Sequence, residues 1–293
     1  MHEAGRLREL LCRDGMITAP GAYDGITAKL IEKAGFAAVY MTGAGTAASL
    51  GYPDFGLVTM SEMVANARRI AAAVTVPVVA DADTGYGNEL NVVRTVREYE
   101  GSGVAGIHIE DQGFPKKCGH LDDKEIVARE DWLAKIRAAA AARRSADFLI
   151  IARTDARAVA GFDEAIARAN AALEAGAGMA FVEAPQTREE VAAVPRLVRG
   201  PCLLNLVYGG KTPEIGLDEA EEMGYKLAIL PGLLIKNVIG VCERMLEALQ
   251  RTRHHPPPVA EMTVREMFAR FGADEWDALR RRFRAPPVEE AAK

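Results

Sequence analysis

Eight short runs of apolar and β-branched residues alternate with helical segments along most of this 293-residue chain. Their nearly continuous apolar character is typical of strands buried on both faces of a parallel sheet. The intervening segments place apolar residues at i, i+3, i+4 and i+7, which is the helical period. Eight strands, each followed by a helix, predict a (β/α)8 TIM-type barrel of the α/β class. The predicted strands span residues 16–19, 37–42, 76–82, 105–110, 148–153, 179–184, 202–207 and 226–230.

The placement of glycine supports this prediction. Four helical segments close with a glycine, within residues 34–36, 102–104, 175–177 and 223–225, and a strand follows each of them. Glycine suits the left-handed residue just past a helix end. The alternative is an open doubly wound sheet, which usually carries a G-x-G-x-x-G turn after its first strand. Here the corresponding turn, TAPGAYDG at 18–25, has a different glycine spacing.

The barrel is predicted to occupy residues 1–251, and a C-terminal helical extension is predicted at 252–293. The prolines of HHPPP (254–258) separate the two, because proline cannot continue a helix. Two short amphipathic helices follow, and their apolar stripe must be covered by the chain's own barrel or by a neighbouring subunit. We expect the neighbouring subunit, which makes the protein a homo-oligomer. The stripe consists of Phe268, Phe271, Trp276, Leu279 and Phe283.

Composition excludes several classes of protein. The 41 acidic residues outnumber the 36 basic ones, and the resulting net charge of −5 argues against a nucleic-acid binder. We expect no membrane span, because no run of about 18 uncharged apolar residues occurs. The four cysteines are far apart without a C-x-x-C, and the charged N-terminal segment is unlike a signal peptide. These features predict a cytoplasmic protein.

Polar residues gather at the C-terminal ends of the predicted strands, where a barrel of this kind keeps its chemistry. Six polar strand ends facing one mouth indicate an active site, because burying that many charged groups without a ligand is unfavourable. The residues concerned are Thr42, Gly43 and Ala44 after the second strand, then Asp81, Asp83, His108, Glu110, Arg153, Glu183 and Asn205.

Three of these side chains predict a metal site. Asp81 and Asp83 are two residues apart, so both point to the same side of an extended chain. Together with Glu110 they form a set of hard oxygen ligands that suits magnesium or manganese. The alternative for Asp81 is a cap on the next helix. His108 alone is more often a buried core residue, but beside a metal we expect it to orient substrate or a carboxylate.

A long loop after the fourth strand, residues 113–127, is called the lid below. It combines Lys116, Lys117, Cys118 and His120 with Gly119, which we expect to be its flexible pivot. Cationic neighbours stabilise a thiolate and could tune Cys118 for proton transfer or nucleophilic attack. Loops over a barrel mouth often exclude water during reaction. The alternative is a solvated basic loop with an incidental cysteine.

Five motifs carry a family resemblance: KKCGH (116–120), EDQ (110–112), DADTGYGN (81–88), TGAGTAASLGYPDFG (42–56) and ARTDARA (152–158). From about residue 10 to 250 the chain resembles the isocitrate lyase and phosphoenolpyruvate mutase superfamily. FVEAP (181–185) and NLVYGGKTP (205–213) are similar to the small 2-alkylmalate and dimethylmalate lyases, petal death protein and oxaloacetate hydrolases. Carboxyphosphonoenolpyruvate mutase and methylisocitrate lyase are also similar.

The resemblance implies a barrel whose last helix is exchanged with a neighbour, usually in a tetramer. It also implies that Asp83 binds Mg²⁺ and that Asp81 and Glu110 hold the ion's water shell. Tyr40 matches a proposed base, Cys118 the acid that protonates a carbon, and Lys116 and His120 the groups that stabilise an enolate. The implied substrate-binding residues are Thr42, Gly43, Ala44, Asp54, His108, Gly119, Arg153, Glu183 and Asn205.

The implied reaction is a Mg²⁺-dependent retro-aldol cleavage of a 2-hydroxy dicarboxylic acid to a 2-oxo acid and a carboxylate. The alternatives are an oxaloacetate hydrolase or decarboxylase and a carboxyphosphonoenolpyruvate-type phosphonomutase. A non-catalytic barrel is a third class, but its expected mark is loss of a metal carboxylate or the lid cysteine, and both are present. Methylisocitrate lyases carry Ser-Gly-Gly at Thr42–Ala44 and an arginine where Lys236 stands, so a smaller dicarboxylate fits better.

Overall fold

Two compact units, which divide between Ile239 and Gly240, make up the chain. The computed structural model describes residues 3–121 and 123–284. In the first unit eight parallel strands close into a barrel in sequence order, with β1 paired to both β2 and β8. This confirms the predicted (β/α)8 fold and excludes the open sheet. The strands are β1 Ile17–Ala22, β2 Val39–Met41, β3 Val78–Asp81, β4 Gly106–Glu110, β5 Leu149–Thr154, β6 Met179–Val182, β7 Cys202–Asn205 and β8 Leu227–Leu230.

Ten helices of the described residues precede β8, and each strand from β1 to β7 is followed by at least one of them. They are α1 Glu3–Leu11, α2 Gly25–Lys33, α3 Gly43–Ser49, α4 Met60–Ala73, α5 Glu89–Ser102, α6 Arg129–Ala142, α7 Ala156–Val159, α8 Phe162–Glu174, α9 Arg188–Leu197 and α10 Leu217–Glu222. Helix α11, Leu233–Thr252, follows β8 and runs from the first unit into the second.

Local sequence explains where the helices begin and end. Thr59 and Asn88 start α4 and α5 with capping boxes, in which each side chain accepts a hydrogen bond from the third helical N–H. The four glycines singled out in the sequence all have left-handed φ angles: Gly35 (90°), Gly103 (95°), Gly176 (108°) and Gly224 (102°). A residue with a side chain is strained at these φ angles, whereas glycine is not. Glycine therefore allows the chain to turn from the end of each helix into the following strand.

Alternation along the strands divides the core into two layers. In β4, Ile107 and Ile109 belong to the layer between strands and helices, together with Trp132 of α6. The barrel interior is a separate apolar cluster that includes Leu149, Phe181, Leu203, Leu227 and Ile229. His108 and Glu110 alternate with the isoleucines, which directs them inward above this cluster. The buried polar groups therefore collect at one end of the barrel.

The second unit contains the rest of α11 and two further helices, α12 Val264–Ala269 and α13 Ala273–Arg284. Helix α13 exposes 72% of Trp276 and 79% of Phe283. The predicted extension at 252–293 and its packing on a neighbouring subunit stay predictions, and residues 285–293 lie outside the described part. Across the described ranges, no helix is both long and apolar enough to cross a membrane.

Candidate active site

Strand pairing brings the predicted site residues together. The register places Asp81 beside His108 and Glu110 beside Arg153 at the C-terminal ends of β3, β4 and β5. Two nearby non-glycine residues have left-handed φ angles, Asp83 at 46° and Ala184 at 53°. Such angles are unfavourable for L-residues and persist where surrounding contacts hold them, which is frequent at functional sites. The mouth of the barrel is therefore the candidate site.

Tyr40, His108 and Asp81 form a buried hydrogen-bonded group. Tyr40 Oη lies 2.8 Å from His108 Nε2 and 3.5 Å from Asp81 Oδ2, and the two rings stack. Burial lowers the pKa of His108 to about 4, so its ring is neutral at pH 7. Burial and the charge of Asp81 raise the pKa of Tyr40 well above 10. The phenol of Tyr40 therefore stays protonated in the free enzyme, and its role as a base stays a prediction.

Asp81 is ionised despite its burial. Burial alone would raise its pKa, but the interactions with His108, Lys116 and Arg153 outweigh this effect and leave the pKa at about 2. Its Oδ1 accepts a hydrogen bond from the backbone N–H of Asp83 at 2.9 Å. This bond fixes the strained turn in which Asp83 sits, so Asp81 shapes the loop rather than capping a helix.

The Thr42–Ala44 turn lies directly against Asp81. Thr42 is the N-cap of α3, and its hydroxyl oxygen accepts a hydrogen bond from Gly45 N at 3.2 Å. A Cβ atom at Gly43 would collide with the Asp81 carboxylate, so only glycine permits this approach. The first N–H groups of a helix have no partner one turn earlier. Gly43 and Ala44 thus remain candidates to bind a substrate carboxylate.

Lys116 joins the lid to the barrel. Its ammonium Nζ lies 2.5 Å from Asp54 Oδ1 and 2.5 Å from Asp83 Oδ1, and only 4% of the residue is exposed. Burial alone would lower the pKa of Lys116, but Asp83, Glu110 and Asp54 raise it well above its ordinary value. Burial and the neighbouring charges of Asp81 and Asp54 raise the pKa of Asp83 to about 6. Lys116 is therefore a fixed cation.

Arg153 is surrounded by carboxylates. Its Nε and Nη2 donate to the two oxygens of Asp155 at 2.9 and 3.2 Å, and Nη1 lies 3.2 Å from Glu110 Oε2. Nη2 also lies 3.9 Å from Glu183 Oε1, and the guanidinium stacks over the Phe181 ring at 5.2 Å. A guanidinium held on several sides is pre-organised for a planar anion.

Glu183, Asn205 and His120 form the opposite wall. Asn205 Nδ2 donates to both oxygens of Glu183 at 3.2 Å, and His120 Nε2 lies 3.3 Å from Glu183 Oε1. The backbone N–H of Lys211 donates to His120 Nδ1 at 3.0 Å, which assigns the ring proton to Nε2. Burial lowers the pKa of His120, so the ring is neutral and can donate from Nε2.

Two features of the lid bear on the roles expected for it. Burial raises the pKa of the Cys118 thiol, which favours the protonated form that an acid needs, and the ammonium of Lys116 is paired with Asp54 and Asp83. Gly119 is buried, and a Cβ atom there would collide with Arg153 and Glu183; its role as a pivot stays a prediction. Glycine is needed at 119 for a close approach of the lid to the site.

Sequence reasoning missed a second set of buried polar residues. Lys124 Nζ bridges Gly119 O and Asp155 Oδ1, and Asp111 accepts hydrogen bonds from Thr154, Asp155 N and Arg168. The side chain of Gln112 bonds both the N–H and the carbonyl of Lys117. The quoted motifs EDQ and ARTDARA contain several of these residues, so the signal was available.

The carboxylates fit a hard cation by their chemistry, although they do not enclose one by themselves. Across residues 3–121 and 123–284, no three His, Cys, Asp or Glu side chains are grouped in a way that could hold a metal ion. Glu110 is fully buried, and its Oε1 has no hydrogen-bond partner. Mg²⁺ usually keeps several waters and takes one or two carboxylates. Asp81, Asp83 and Glu110 can serve it in that manner.

Fold and site together define an α/β-barrel enzyme with its active site at the C-terminal ends of the strands. The chain belongs to the phosphoenolpyruvate mutase/isocitrate lyase superfamily, because the family model described as phosphoenolpyruvate phosphomutase matches residues 7–250. Its relatives assign it to the carbon–carbon lyases of that superfamily. The family resemblance of the five motifs is thereby confirmed.

Three relatives illustrate the range of the family. The 2,3-dimethylmalate lyase of Eubacterium barkeri is 53% identical over 79% of this chain and 80% of its own. The 2-methylisocitrate lyase of Aeropyrum pernix is 46% identical over 83% of this chain and 78% of its own. The chloroplastic carboxyvinyl-carboxyphosphonate phosphorylmutase of Arabidopsis thaliana is 39% identical over 95% of this chain and 84% of its own.

Solved structures agree with this assignment. A crystal structure of 2,3-dimethylmalate lyase has a TM-score of 0.92 at 40% identity, covering 100% of this chain and 99% of that one. Oxaloacetate acetylhydrolase with 3,3-difluorooxalacetate has a TM-score of 0.93 at 38% identity, covering 97% and 98%. Phosphonopyruvate hydrolase with oxalate and Mg²⁺ has a TM-score of 0.86 at 31% identity, covering 97% and 99%.

Proposed function

We propose that this enzyme is a Mg²⁺-dependent lyase that cleaves a 2-hydroxy dicarboxylic acid by a retro-aldol reaction. The products are a 2-oxo acid and a carboxylate. Similarity to 2,3-dimethylmalate lyase, at 53% identity, supports a substrate with alkyl substituents. The cytoplasmic location and the homotetramer stay predictions.

The surplus of buried carboxylates at the barrel mouth carries this proposal. Six acidic side chains, five of them buried, lie beside three basic ones, and all of the acidic residues except Asp81 form ion pairs with the basic ones. Burial raises the pKa of Glu110 well above its ordinary value, since Arg153 and Lys116 do not offset it. A dication would compensate the surplus and would allow a dianionic substrate to enter. The acidic residues are Asp54, Asp81, Asp83, Glu110, Asp155 and Glu183, and the basic ones are Lys116, Lys124 and Arg153.

Asp83, Asp81 and Glu110 would hold the metal directly or through water. When bound, Mg²⁺ supplies Lewis-acid polarisation of the substrate's oxygens. Arg153 would pair with a substrate carboxylate, and the N–H groups of Gly43 and Ala44 would bind the same end of the substrate. These contacts would fix the bond between C2 and C3 before it breaks.

Proton transfer begins at the 2-hydroxyl. We propose that this proton passes to the Tyr40 hydroxyl while the Tyr40 hydroxyl passes its own proton to Nε2 of the neutral His108 ring. Tyr40 Oη and His108 Nε2 are 2.8 Å apart. The C2 oxygen then forms a carbonyl, the C2–C3 bond breaks, and its electron pair moves to C3. The departing fragment is the enolate of a carboxylate. Lys116 and the Nε2–H of His120 would stabilise its negative charge.

Cys118 would then donate its thiol proton to C3 and complete the departing carboxylate. The raised pKa keeps the thiol protonated at neutral pH, which is the form this step needs. Cys118 then takes up a proton from solvent and His108 releases one to solvent, which returns both groups to their starting states. The burial of Gly119 against Arg153 and Glu183 shows how closely the lid approaches the site in this arrangement.

A cavity of about 620 Å³ borders Asp83 and Lys116, and its other walls include the apolar Leu57, Met60 and Val127 together with Lys135. The apolar part of its wall supports a substrate that carries an apolar substituent. Lys236 stands where an arginine is expected for a tricarboxylate. Its ammonium group donates a hydrogen bond to Tyr208 O at 2.6 Å. This contact also favours the smaller substrate.

Proteins similar to this chain are named for two other reactions. The likeness to oxaloacetate acetylhydrolase favours oxaloacetate hydrolysis as the second candidate. Similarity to the phosphorylmutase of Arabidopsis thaliana keeps a phosphonomutase as a third, and that reaction moves phosphorus without protonating carbon.

A substrate screen tests the proposal. Purified enzyme with Mg²⁺ is offered 2-alkylmalates, methylisocitrate, oxaloacetate and a phosphonate, and 2-oxo acid and ³¹P signals are followed. Release of a 2-oxo acid from a 2-alkylmalate is the expected result. Turnover confined to oxaloacetate or to the phosphonate would contradict it in favour of the corresponding alternative.

A further inference from the structure

Lys124 is a buried lysine that the mechanism above does not use. Only 8% of it is exposed, and its Nζ lies 2.5 Å from Gly119 O and 2.6 Å from Asp155 Oδ1. An ammonium group in such a place is stable only when its donors are satisfied by close partners. Both of its partners have direct links to the active site.

The first partner connects Lys124 to the lid. Gly119 is the residue after Cys118, and it packs against Arg153 and Glu183 so closely that a Cβ atom would not fit. The carbonyl of Gly119 accepts the hydrogen bond from Lys124. Loss of that bond would release the lid backbone beside the catalytic thiol.

The second partner connects Lys124 to the substrate-binding arginine. Asp155 is fully buried and binds Arg153 through both oxygens. Burial alone would raise the pKa of Asp155, but Arg153 and Lys124 lower it to about 2. Asp155 is also anchored from below, where its N–H donates to Asp111 Oδ1 at 2.8 Å. One carboxylate thus positions both Arg153 and Lys124.

We propose that Lys124 is a positioning residue that fastens the closed lid to the Asp155–Arg153 pair, so that Cys118 is delivered only when Arg153 is in place. The catalytic consequence rests on the proposed function. The closure itself does not, because it depends only on contacts within the protein.

Alkylation of Cys118 measures lid opening without any substrate. Iodoacetamide reacts with a thiolate that it can reach, and peptide mass spectrometry separates Cys118 from the exposed Cys12 and Cys242. Losing a charge-assisted hydrogen bond shifts an equilibrium by about 10- to 100-fold. In Lys124→Met we therefore expect Cys118 to be alkylated about 10- to 100-fold faster, with unchanged rates at the exposed cysteines.

Lys117→Met is the matched control. Lys117 lies in the same lid, but its Nζ contacts the carbonyl of Asp123 at 3.2 Å and not the barrel. We expect its Cys118 alkylation rate to stay within about twofold of wild type. Lys124→Arg keeps the charge and should restore part of the protection. If circular dichroism shows that Lys124→Met is not folded, Lys124→Gln replaces it in the same assay.

Activity provides a separate readout once a substrate is known. Lys124→Met should lower kcat about tenfold or more, whereas Lys117→Met should not. Cys118 alkylation within twofold of wild type in folded Lys124→Met or Lys124→Gln would overturn the proposal, whatever the substrate screen finds. Faster alkylation in an enzyme that fails the screen would leave the lid assignment in place and contradict only the proposed reaction.

Discussion

Replacing Cys118 by serine tests the protonation step of the proposed reaction. A thiol with the ordinary pKa of about 8.5 is already about 97% protonated at pH 7. Burial raises the pKa of Cys118, so the protonated fraction is higher still. Serine has almost the same shape as cysteine, but its hydroxyl is a much weaker acid. The substitution therefore removes the acid and keeps the packing.

The expected loss of rate in Cys118→Ser can be estimated from the role of Cys118 as a general acid. A positioned general acid contributes about 10²- to 10⁴-fold in rate. This corresponds to about 2.7–5.5 kcal/mol of activation free energy. The ion pairs of Lys116 with Asp83 and of Arg153 with Asp155 do not involve the thiol. Substrate binding should survive, so the loss should be in kcat and not in KM.

The assay compares steady-state and single-turnover rates of wild type and Cys118→Ser on the best lyase substrate. Cys12→Ser, at an exposed position, is the matched control and should behave as wild type. A fall in kcat of less than about threefold, with chemistry shown to be rate-limiting, would refute the acid role of Cys118.

Three further predictions follow from the same structure. Exhaustive chelation or Asp83→Ala should abolish turnover, and Mg²⁺ should restore the chelated wild type only; full activity after chelation would exclude the metal role. Because burial raises the pKa of Cys118, its alkylation rate should reach half-maximum at a higher pH than that of a small-molecule thiol with a pKa of about 8.5; a midpoint at or below that value would contradict the shift. Deleting residues 254–293, which removes the exposed Trp276 and Phe283, should lower oligomer size and thermal stability together, as measured by light scattering and calorimetry; an active monomer at micromolar concentration would be evidence against the expected assembly.

Much of the fold follows from local sequence. All eight strands overlap the apolar, β-branched runs that predicted them, although β1 continues to Ala22, beyond its predicted end at residue 19. Gly35, Gly103, Gly176 and Gly224 adopt the left-handed angles expected past helix ends. Both signals are local, because they depend on strand burial and on backbone sterics. The boundary between the two units at Ile239 has no comparable signal, since it falls within the continuous helix α11.

Part of the site could be predicted for a similar reason. Residues at the C-terminal ends of parallel strands converge on one mouth, and Asp81, His108, Glu110 and Arg153 do so. The charge state of a group depends instead on partners distant in sequence. Lys116, for example, is ion-paired with Asp54, which lies 62 residues away in the sequence.

The role of Lys124 could not be predicted from the sequence for the same reason. In the sequence it is one of several charged residues in a polar loop, and its burial arises from Asp155, 31 residues later. Pairing of this kind appears only when the lid and β5 are seen together. The burial of Gly119 and of Tyr40, which bears on their expected roles as pivot and base, is likewise not visible in a single sequence.

Turnover in D₂O tests the central claim most directly. Wild-type enzyme with Mg²⁺ and a 2-alkylmalate is followed by ¹H and ¹³C NMR. Retro-aldol cleavage with protonation at C3 predicts one 2-oxo acid and one carboxylate for each substrate consumed, with one deuterium on the carbon that was C3. Cleavage without deuterium at that carbon, or no cleavage of any 2-hydroxy dicarboxylate alongside turnover of a phosphonate, would contradict the account.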